Sequence, residues 1–406
     1  MSIIKNKKIV FITTGQPSVN PRIVKEADTF QAAGFDVTVL YSYFIHWAEE
    51  KDKVLLKNVS WKFKMVGGNE VDYKFLYFFT RLRFKISRVL NKYMGNKFSL
   101  AERAQARTYN ELLHEAKKIK ADWYVGHNLG ALAIAVKAAK YNAAKAGFDF
   151  EDYHRGEGHD KHTIERIVFL ENKYIPYLSY YSTSSNLITN ITTKNHSNFS
   201  GKVITLLNCF PLVQQPIFVE KTISDNTLNL FWFSQTVGLN RGIEILIEAL
   251  KIINSSLIHL TLGGRCNDEI INYINKQNNL TKSNIHFEGI IQPEKLPSFS
   301  SYFDVGLALE TGFSINNDIA LSNKIFTYLL AGNAIILSQT SMQAAFNNKY
   351  KVGESFAAKD AESLAKKITF YLDNKKLNVQ KKYNYELAKH KLNWENESKK
   401  LLEIIN

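Results

Sequence analysis

From Glu310 the chain reads Glu310-Thr311-Gly312-Phe313, then Asn316-Asn317-Asp318, then Leu321-Ser322-Asn323-Lys324-Ile325-Phe326-Thr327-Tyr328-Leu329-Leu330-Ala331-Gly332. A carboxylate follows an apolar run, and a polar loop leads into a helix whose first turn carries Ser322, Asn323 and Lys324. Helix N-terminal N–H groups and a lysine together make a phosphate cradle. The same residues also describe a Ser/Asn-capped helix with one solvated lysine. A second stretch, Phe233-Ser234-Gln235-Thr236-Val237-Gly238-Leu239-Asn240-Arg241-Gly242, joins a strand to a helix. Its arginine has a planar fork suited to phosphate oxygens, although taken alone it is an ordinary strand-to-helix loop.

In Gly126-His127-Asn128-Leu129-Gly130 a histidine stands at a strand end. Alone it reads as a hydrogen-bonded structural residue; beside Asn128 and Gly130 it reads equally as a cleft residue. The run Phe148-Asp149-Phe150-Glu151-Asp152-Tyr153-His154 offers acid/base groups. His154, Glu157, His159 and His162 match neither His-Glu-x-x-His nor a common zinc spacing, so a polar rim is expected there and no metal site. No Asp-x-Asp occurs.

These residues sit on a regular alternation. Lys8–Ile12, Phe35–Leu40, Ala121–Gly126 and Ala146–Phe150 read as strands, with helices over Arg22–Ala33 and Leu129–Ala146 between them. After a Pro-containing linker at 208–217 the pattern resumes with strands at Leu228–Phe233, Ile258–Leu262, Ile285–Gly289, Val305–Leu309 and Ala334–Ser338, and a helix over Gly242–Asn254. Strands alternating with helices predict parallel sheets covered on both faces. The fold class is therefore α/β: two doubly wound, Rossmann-like domains facing a cleft, over 1–207 and 218–377, with a basic insertion-like region at 42–115. A C-terminal helix over 378–406 is expected to return to the first domain. Ligands of such sheets bind beyond the carboxyl ends of the strands.

Composition narrows the class. The 406 residues are 45% hydrophobic and 22% charged, which excludes a disordered or collagen-like chain. No apolar window is long enough to span a bilayer. Met1-Ser2-Ile3-Ile4-Lys5 leads into a strand pattern without a signal-peptide core. Two cysteines, Cys209 and Cys266, rule out a disulfide scaffold and fit a reducing cytoplasm. The net charge is +14, and residues 51–120 hold 17 basic against 6 acidic residues. The excess thus belongs to one block, as expected for a face that meets an anionic surface. A nucleic-acid binder would interleave that block with a reading module, and none is visible.

Four stretches carry a resemblance. Gly15-Gln16-Pro17-Ser18-Val19-Asn20-Pro21-Arg22 resembles a glycine loop of an acceptor domain. Gly126 to Leu132 resembles an HN-x-x-A segment, Gln235 to Gly242 a GRL-x-x-x-KG segment, and Lys324 to Ser338 a P-x-K-x-x-E-Y-x-x-x-G-x-P-V segment. In this order they resemble the family 4 glycosyltransferases of the GT-B fold, of the bacterial surface-polysaccharide type. The resemblance implies a retaining, metal-independent transferase without a cofactor, whose donor substrate is a nucleotide-diphosphate sugar. It implies a glycan or lipid-linked acceptor on the N-terminal half, with Gly15 in the glycine loop. By resemblance Arg241 takes the place of a diphosphate-binding lysine, and Thr236 that of an arginine. Glu310 matches the first glutamate of a paired motif facing the donor sugar. Thr327 stands where the second, ribose-holding glutamate belongs, with Asn323 and Lys324 as compensating neighbours. Gly289 and Ile290 match the backbone that contacts the nucleobase. Glu151 replaces a histidine near the transferred sugar, leaving Glu151, Asp152 and His154 as alternatives, and His127 joins the catalytic candidates. The departures at Thr236 and Thr327 keep open a catalytically inactive GT-B partner, and the carboxylates at 149–157 a sugar-nucleotide epimerase.

One stretch lies outside that resemblance. Over residues 73–92 a helical wheel gathers Phe75, Phe78, Phe79, Leu82, Ile86, Val89 and Leu90 into a stripe, flanked by Lys74, Arg81, Lys85, Arg88 and Lys92. The pattern predicts either an interfacial helix on an anionic membrane, with the protein peripheral on the inner face, or a helix packed on the N-terminal sheet.

Overall fold

The computed structural model describes residues 7–405; Met1 to Lys5, read as leading into the first strand, lie outside the described residues, as does Asn406. The chain divides into two compact units, residues 1–206 with 398–406, and residues 207–397.

The first unit holds a parallel sheet of β1 (Lys8–Thr13), β2 (Asp36–Tyr41), β3 (Lys62–Met65), β4 (Trp123–His127), β5 (Lys145–Asp149), β6 (Tyr180–Thr183) and β7 (Lys202–Thr205), in the order β3-β2-β1-β4-β5-β6-β7. The second holds β8 (Leu228–Thr236), β9 (Ile258–Arg265), β10 (Asn284–Gly289), β11 (Val305–Ala308), β12 (Ala334–Ser338) and β13 (Gly353–Phe356), in the order β10-β9-β8-β11-β12-β13. Both orders reverse direction once, between β1 and β4 and between β8 and β11. The apolar runs become central strands because helices bury both faces: Ile9, Phe11, Val125, Phe148, Leu230, Leu260, Leu307 and Ile336 are fully buried.

Three expected elements differ. The helix read as Leu129–Ala146 ends at Tyr141. Ala143 turns left-handed at φ 54°, and the Ala144 N–H donates to the Ala139 carbonyl, closing a Schellman turn without glycine. Asn142 draws the chain aside by donating to the Lys117 carbonyl and the Tyr124 hydroxyl. The insertion-like region 42–115 is partly sheet, since β3 pairs with β2 from Thr38↔Lys62 to Tyr41↔Met65. The C-terminal tail is two helices, Asn374–His390 and Trp394–Ile405. They are separated where Asn393 turns back to bond the Ala388 and Lys389 carbonyls. Among the described residues no helix is long and apolar enough to cross a membrane.

Candidate active site

The reversal between β8 and β11 marks the place beyond their carboxyl ends where ligands of a doubly wound sheet bind. Two loops meet there. Gly242, at φ 84°, starts the helix Ile243–Ile253, and a Cβ on it would lie 2.4 Å from the Leu309 carbonyl oxygen. Only glycine permits that approach, and Leu309 is followed by Glu310. Tyr328 pins the helix Asn323–Ala331 over the same strands: its buried hydroxyl bonds the Phe231 and Leu307 carbonyls at 3.1 Å. Its ring lies on Gly306, where a Cβ would be 2.2 Å away.

Glu310 is the hub of this end. It accepts from Lys324 Nζ at 2.9 Å, Ser322 Oγ at 2.8 Å and Asn317 Nδ2 at 3.2 Å. Burial alone would raise its pKa; the Lys324 charge and the three hydrogen bonds outweigh burial and hold it down at about 2. Because the Ser322 hydroxyl is drawn to Glu310, it does not cap its own helix. Lys324 therefore does not stand as an isolated cation: its charge is matched by Glu310, and it also lies over the Trp232 ring at 5.6 Å.

The remaining candidates spread around the strand ends. Arg241 is exposed and donates to Ser234 Oγ at 2.7 Å. Thr236 is the exposed last residue of β8, in register with Arg265 at the end of β9. An arginine thus stands one strand away from the position where the resemblance wants one. Gly289 closes β10 at φ 78° in open space, and Ile290 after it is exposed. Asn323 accepts from Asn208 Nδ2 at 3.0 Å. Thr327 is buried, and among the described residues its hydroxyl has no hydrogen-bond partner.

In the first unit the reversal between β1 and β4 is equally built. Gly15 accepts from the Ser42 N–H, and its N–H donates to Thr13 Oγ1 at 3.2 Å. Asn128, at φ 58°, donates to Thr13 Oγ1 at 2.9 Å and accepts from Thr14 Oγ1 at 2.7 Å. His127 has 0% exposure, so it sits beneath the loops and not at a rim. Its Nε2 is 3.2 Å from Glu26, and its Nδ1 is 3.6 Å from Asp149. Burial works against the imidazolium, but Glu26 and Asp149 prevail and raise its pKa. Asp149 also receives both arms of the Arg22 fork at 2.7 Å and the Ser182 hydroxyl at 2.7 Å. Glu26, His127 and Asp149 bring ligand-type atoms within 4.8 Å of one another. The Arg22 guanidinium already supplies the positive charge there, against which a divalent ion would be repelled.

Glu151 and Asp152 follow β5 after one residue, Phe150. Glu151 is half-buried at φ 49°, and the Asp152 N–H bonds back to the Phe150 carbonyl, a γ-turn with a strained central residue. Burial, then the charges of Asp152 and Asp149, push the Glu151 carboxyl up to about 7 against the opposing Arg22. His154 is tied to Glu157 at 2.8 Å, and His159 to the same carboxylate at 2.9 Å. A raised carboxylate retains in the folded state a proton that the unfolded chain releases from its ordinary 4.5 upward. Stability is therefore expected to fall as pH rises from about 4.5 to about 7. Urea midpoints at pH 5 and pH 8 should differ less in Glu151→Gln than in the parent; equal differences would assign the titration elsewhere.

Sequence reading singled out neither Glu26 nor Arg265, and it treated Arg22 as part of a loop motif. Glu26 has no signal beyond helical periodicity. Arg265 follows Gly263-Gly264 directly after a strand, which is a sign of a strand-end loop.

No family model and no curated protein matches the chain. Solved structures do. HepE of Anabaena in complex with UDP and glucose is 14% identical, with 98% of each chain covered and a TM-score of 0.67. A glycosyltransferase from Rickettsia africae is 12% identical, with 98% of each chain covered and a TM-score of 0.65. WaaG, a glycosyltransferase involved in lipopolysaccharide biosynthesis, is 13% identical, covering 98% of this chain and 99% of its own, with a TM-score of 0.61. The likeness is one of fold: this chain shares with these glycosyltransferases the α/β architecture of two parallel, doubly wound sheets, the GT-B class.

Proposed function

We propose that the chain is a retaining, metal-independent glycosyltransferase of the family 4 type, taking its sugar from a nucleoside-diphosphate sugar and passing it to a glycan or lipid-linked acceptor. The observation that carries this reading is the strand-end site at the β8–β11 reversal, where a carboxylate hub stands beside helix N-termini and arginines. HepE, of the same fold, has been crystallised with UDP-glucose, which makes UDP the first nucleotide to test. The difficult step is departure of a diphosphate with growing negative charge, and groups already oriented lower that barrier most. In this reading Arg241, Arg265 and the first turn of Asn323–Ala331 receive the diphosphate, with Arg265 replacing the charge lost at Thr236. Glu310, held ionised by Lys324, accepts sugar hydroxyls. The C1–O bond to the diphosphate breaks, the acceptor oxygen bonds C1 on the same face, and the acceptor proton passes to the leaving phosphate oxygen.

Titration calorimetry with UDP tests the site. Arg241→Ala and Arg265→Ala are each expected to weaken binding about ten- to a hundredfold, the loss of a charged hydrogen bond. Wild-type affinity in both variants, or no nucleoside diphosphate bound by the parent, would remove the assignment. The epimerase reading draws support from Glu151, a carboxyl titrating near neutral pH. Incubating donor with and without acceptor separates the two: a transferase releases UDP as a glycoside forms, whereas an epimerase returns an isomerised donor.

A further inference from the structure

The helix Lys74–Met94 is turned inside out. Its buried side chains are Thr80, Ser87 and Asn91, while the apolar stripe points to solvent: Phe75 is 94% exposed, Phe78 70%, Phe79 57%, and Leu82, Ile86 and Val89 about half. An apolar patch of this length on one helix face is what soluble surfaces avoid unless it is used. The alternative expectation, a helix packed on the sheet by its apolar stripe, is thereby overturned.

The reversal is built in by partners distant in sequence. Arg107 donates to Thr80 Oγ1 at 2.6 Å, to the Gly67 carbonyl at 2.9 Å and to the Tyr43 carbonyl at 2.9 Å, and it stacks on Tyr77. Arg83 forks onto Glu111 at 2.8 and 2.6 Å. These bonds hold the polar face inward through arginine, leaving the other face no route into the core. The chain enters the helix through Gly67 and Gly68, both left-handed; a Cβ on Gly67 would lie 2.3 Å from Thr108. The helix contains no acidic residue, and Lys74, Arg81, Lys85, Arg88 and Lys92 line one side of the stripe, all exposed.

We infer that this helix lies in the headgroup layer of an anionic lipid bilayer, with Phe75, Phe78, Phe79 and Leu82 among the acyl chains and the basic flank on the lipid phosphates. Charge decides between a bilayer and a second copy of the chain. Two copies meeting stripe to stripe would bring two acid-free basic flanks together, whereas an anionic surface neutralises them. Aromatic and aliphatic groups on one face with lysine and arginine beside them are the makeup of an interfacial helix. The inference does not rest on the proposed transferase activity.

Co-sedimentation of the full chain with vesicles tests it, using phosphatidylcholine alone and phosphatidylcholine with about 30% phosphatidylglycerol, at low and high salt. The parent is expected to pellet with the mixed vesicles and much less with the neutral ones. With roughly a fivefold effect per basic residue near an anionic surface, Lys85→Glu with Arg88→Glu should lower partitioning at least about 25-fold, most strongly at low salt. Phe78→Ser with Phe79→Ser should lose binding that survives high salt in the parent. Both pairs are exposed, so unchanged melting is the control for folding. Failure of the parent to bind mixed vesicles, or binding by both variants equal to the parent's, would overturn the inference. So would self-association in sedimentation velocity that Phe78→Ser with Phe79→Ser abolishes while vesicle binding stays low throughout.

Discussion

Arg22→Met is expected to destabilise the first unit by about 3–5 kcal/mol, because it leaves a buried carboxylate without its cation. Arg22 and Asp149 are 0% and 1% exposed, and their fork of two 2.7 Å bonds joins the first long helix to the end of β5. Arg22 also donates to the Leu206 carbonyl at 2.8 Å. Without Arg22, Asp149 keeps as partners, among the described residues, only the Ser182 hydroxyl and the His127 ring. Removing both charges should be far milder than the sum of the single changes, since apolar groups of similar volume replace buried ion pairs at little cost. Arg22→Met combined with Asp149→Leu is thus expected to recover part of the loss. Hydrogen exchange at β4 and β5 reads the effect, with β8 and β9 of the second unit as internal reference. Protection in Arg22→Met equal to the parent would mean that the pair adds nothing to stability.

Glu310→Gln is expected to lower kcat about a hundred- to a thousandfold, the range for losing an oriented polar group acting on the transition state. Affinity for free UDP should stay within about threefold, because the carboxylate is assigned to sugar hydroxyls. The substitution also releases Lys324 from its ion pair, which by itself would favour an anionic ligand. Parallel loss of nucleotide binding and turnover would therefore contradict the role. Acid behaviour supplies a second readout. Glu310 is held at about 2 against an ordinary 4.5, so its contribution to stability is complete above about 4.5 and lost as pH falls through about 2. Glu310→Gln should lack that part of the acid transition.

Much of the fold was legible because its signals are local. Strands such as Leu228–Phe233 and Ala334–Ser338 are short apolar runs between turn residues, and they were found within a few residues of their bounds. The end of the helix at Tyr141 was missed because alanine favours helix and the stop comes from Asn142 reaching Lys117 and Tyr124, not from a glycine. Periodicity found the stripe of the helix Lys74–Met94 but not its direction, which depends on Arg107 and Glu111 elsewhere in the chain.

The site divides in the same way. Glu310, Lys324 and Arg241 were visible as charged residues just beyond apolar runs. Their mutual state was not: Glu310 meets Lys324 where Tyr328 locks the helix that carries Lys324 onto β8 and β11. Arg265 became a neighbour of Thr236 through strand register. His127, readable equally as a structural or a cleft residue, joins a buried quartet through Glu26, 101 residues away, while Arg22 and Asp149 are 127 apart. The succession of strands and helices, the loops that could hold chemistry and the basic apolar stripe are written locally, because periodicity and turn chemistry act between near neighbours. Which charges are paired, which histidine is buried and which way the stripe faces follow from packing. Those outcomes depend on desolvation and on contacts that exist only once distant segments pack together.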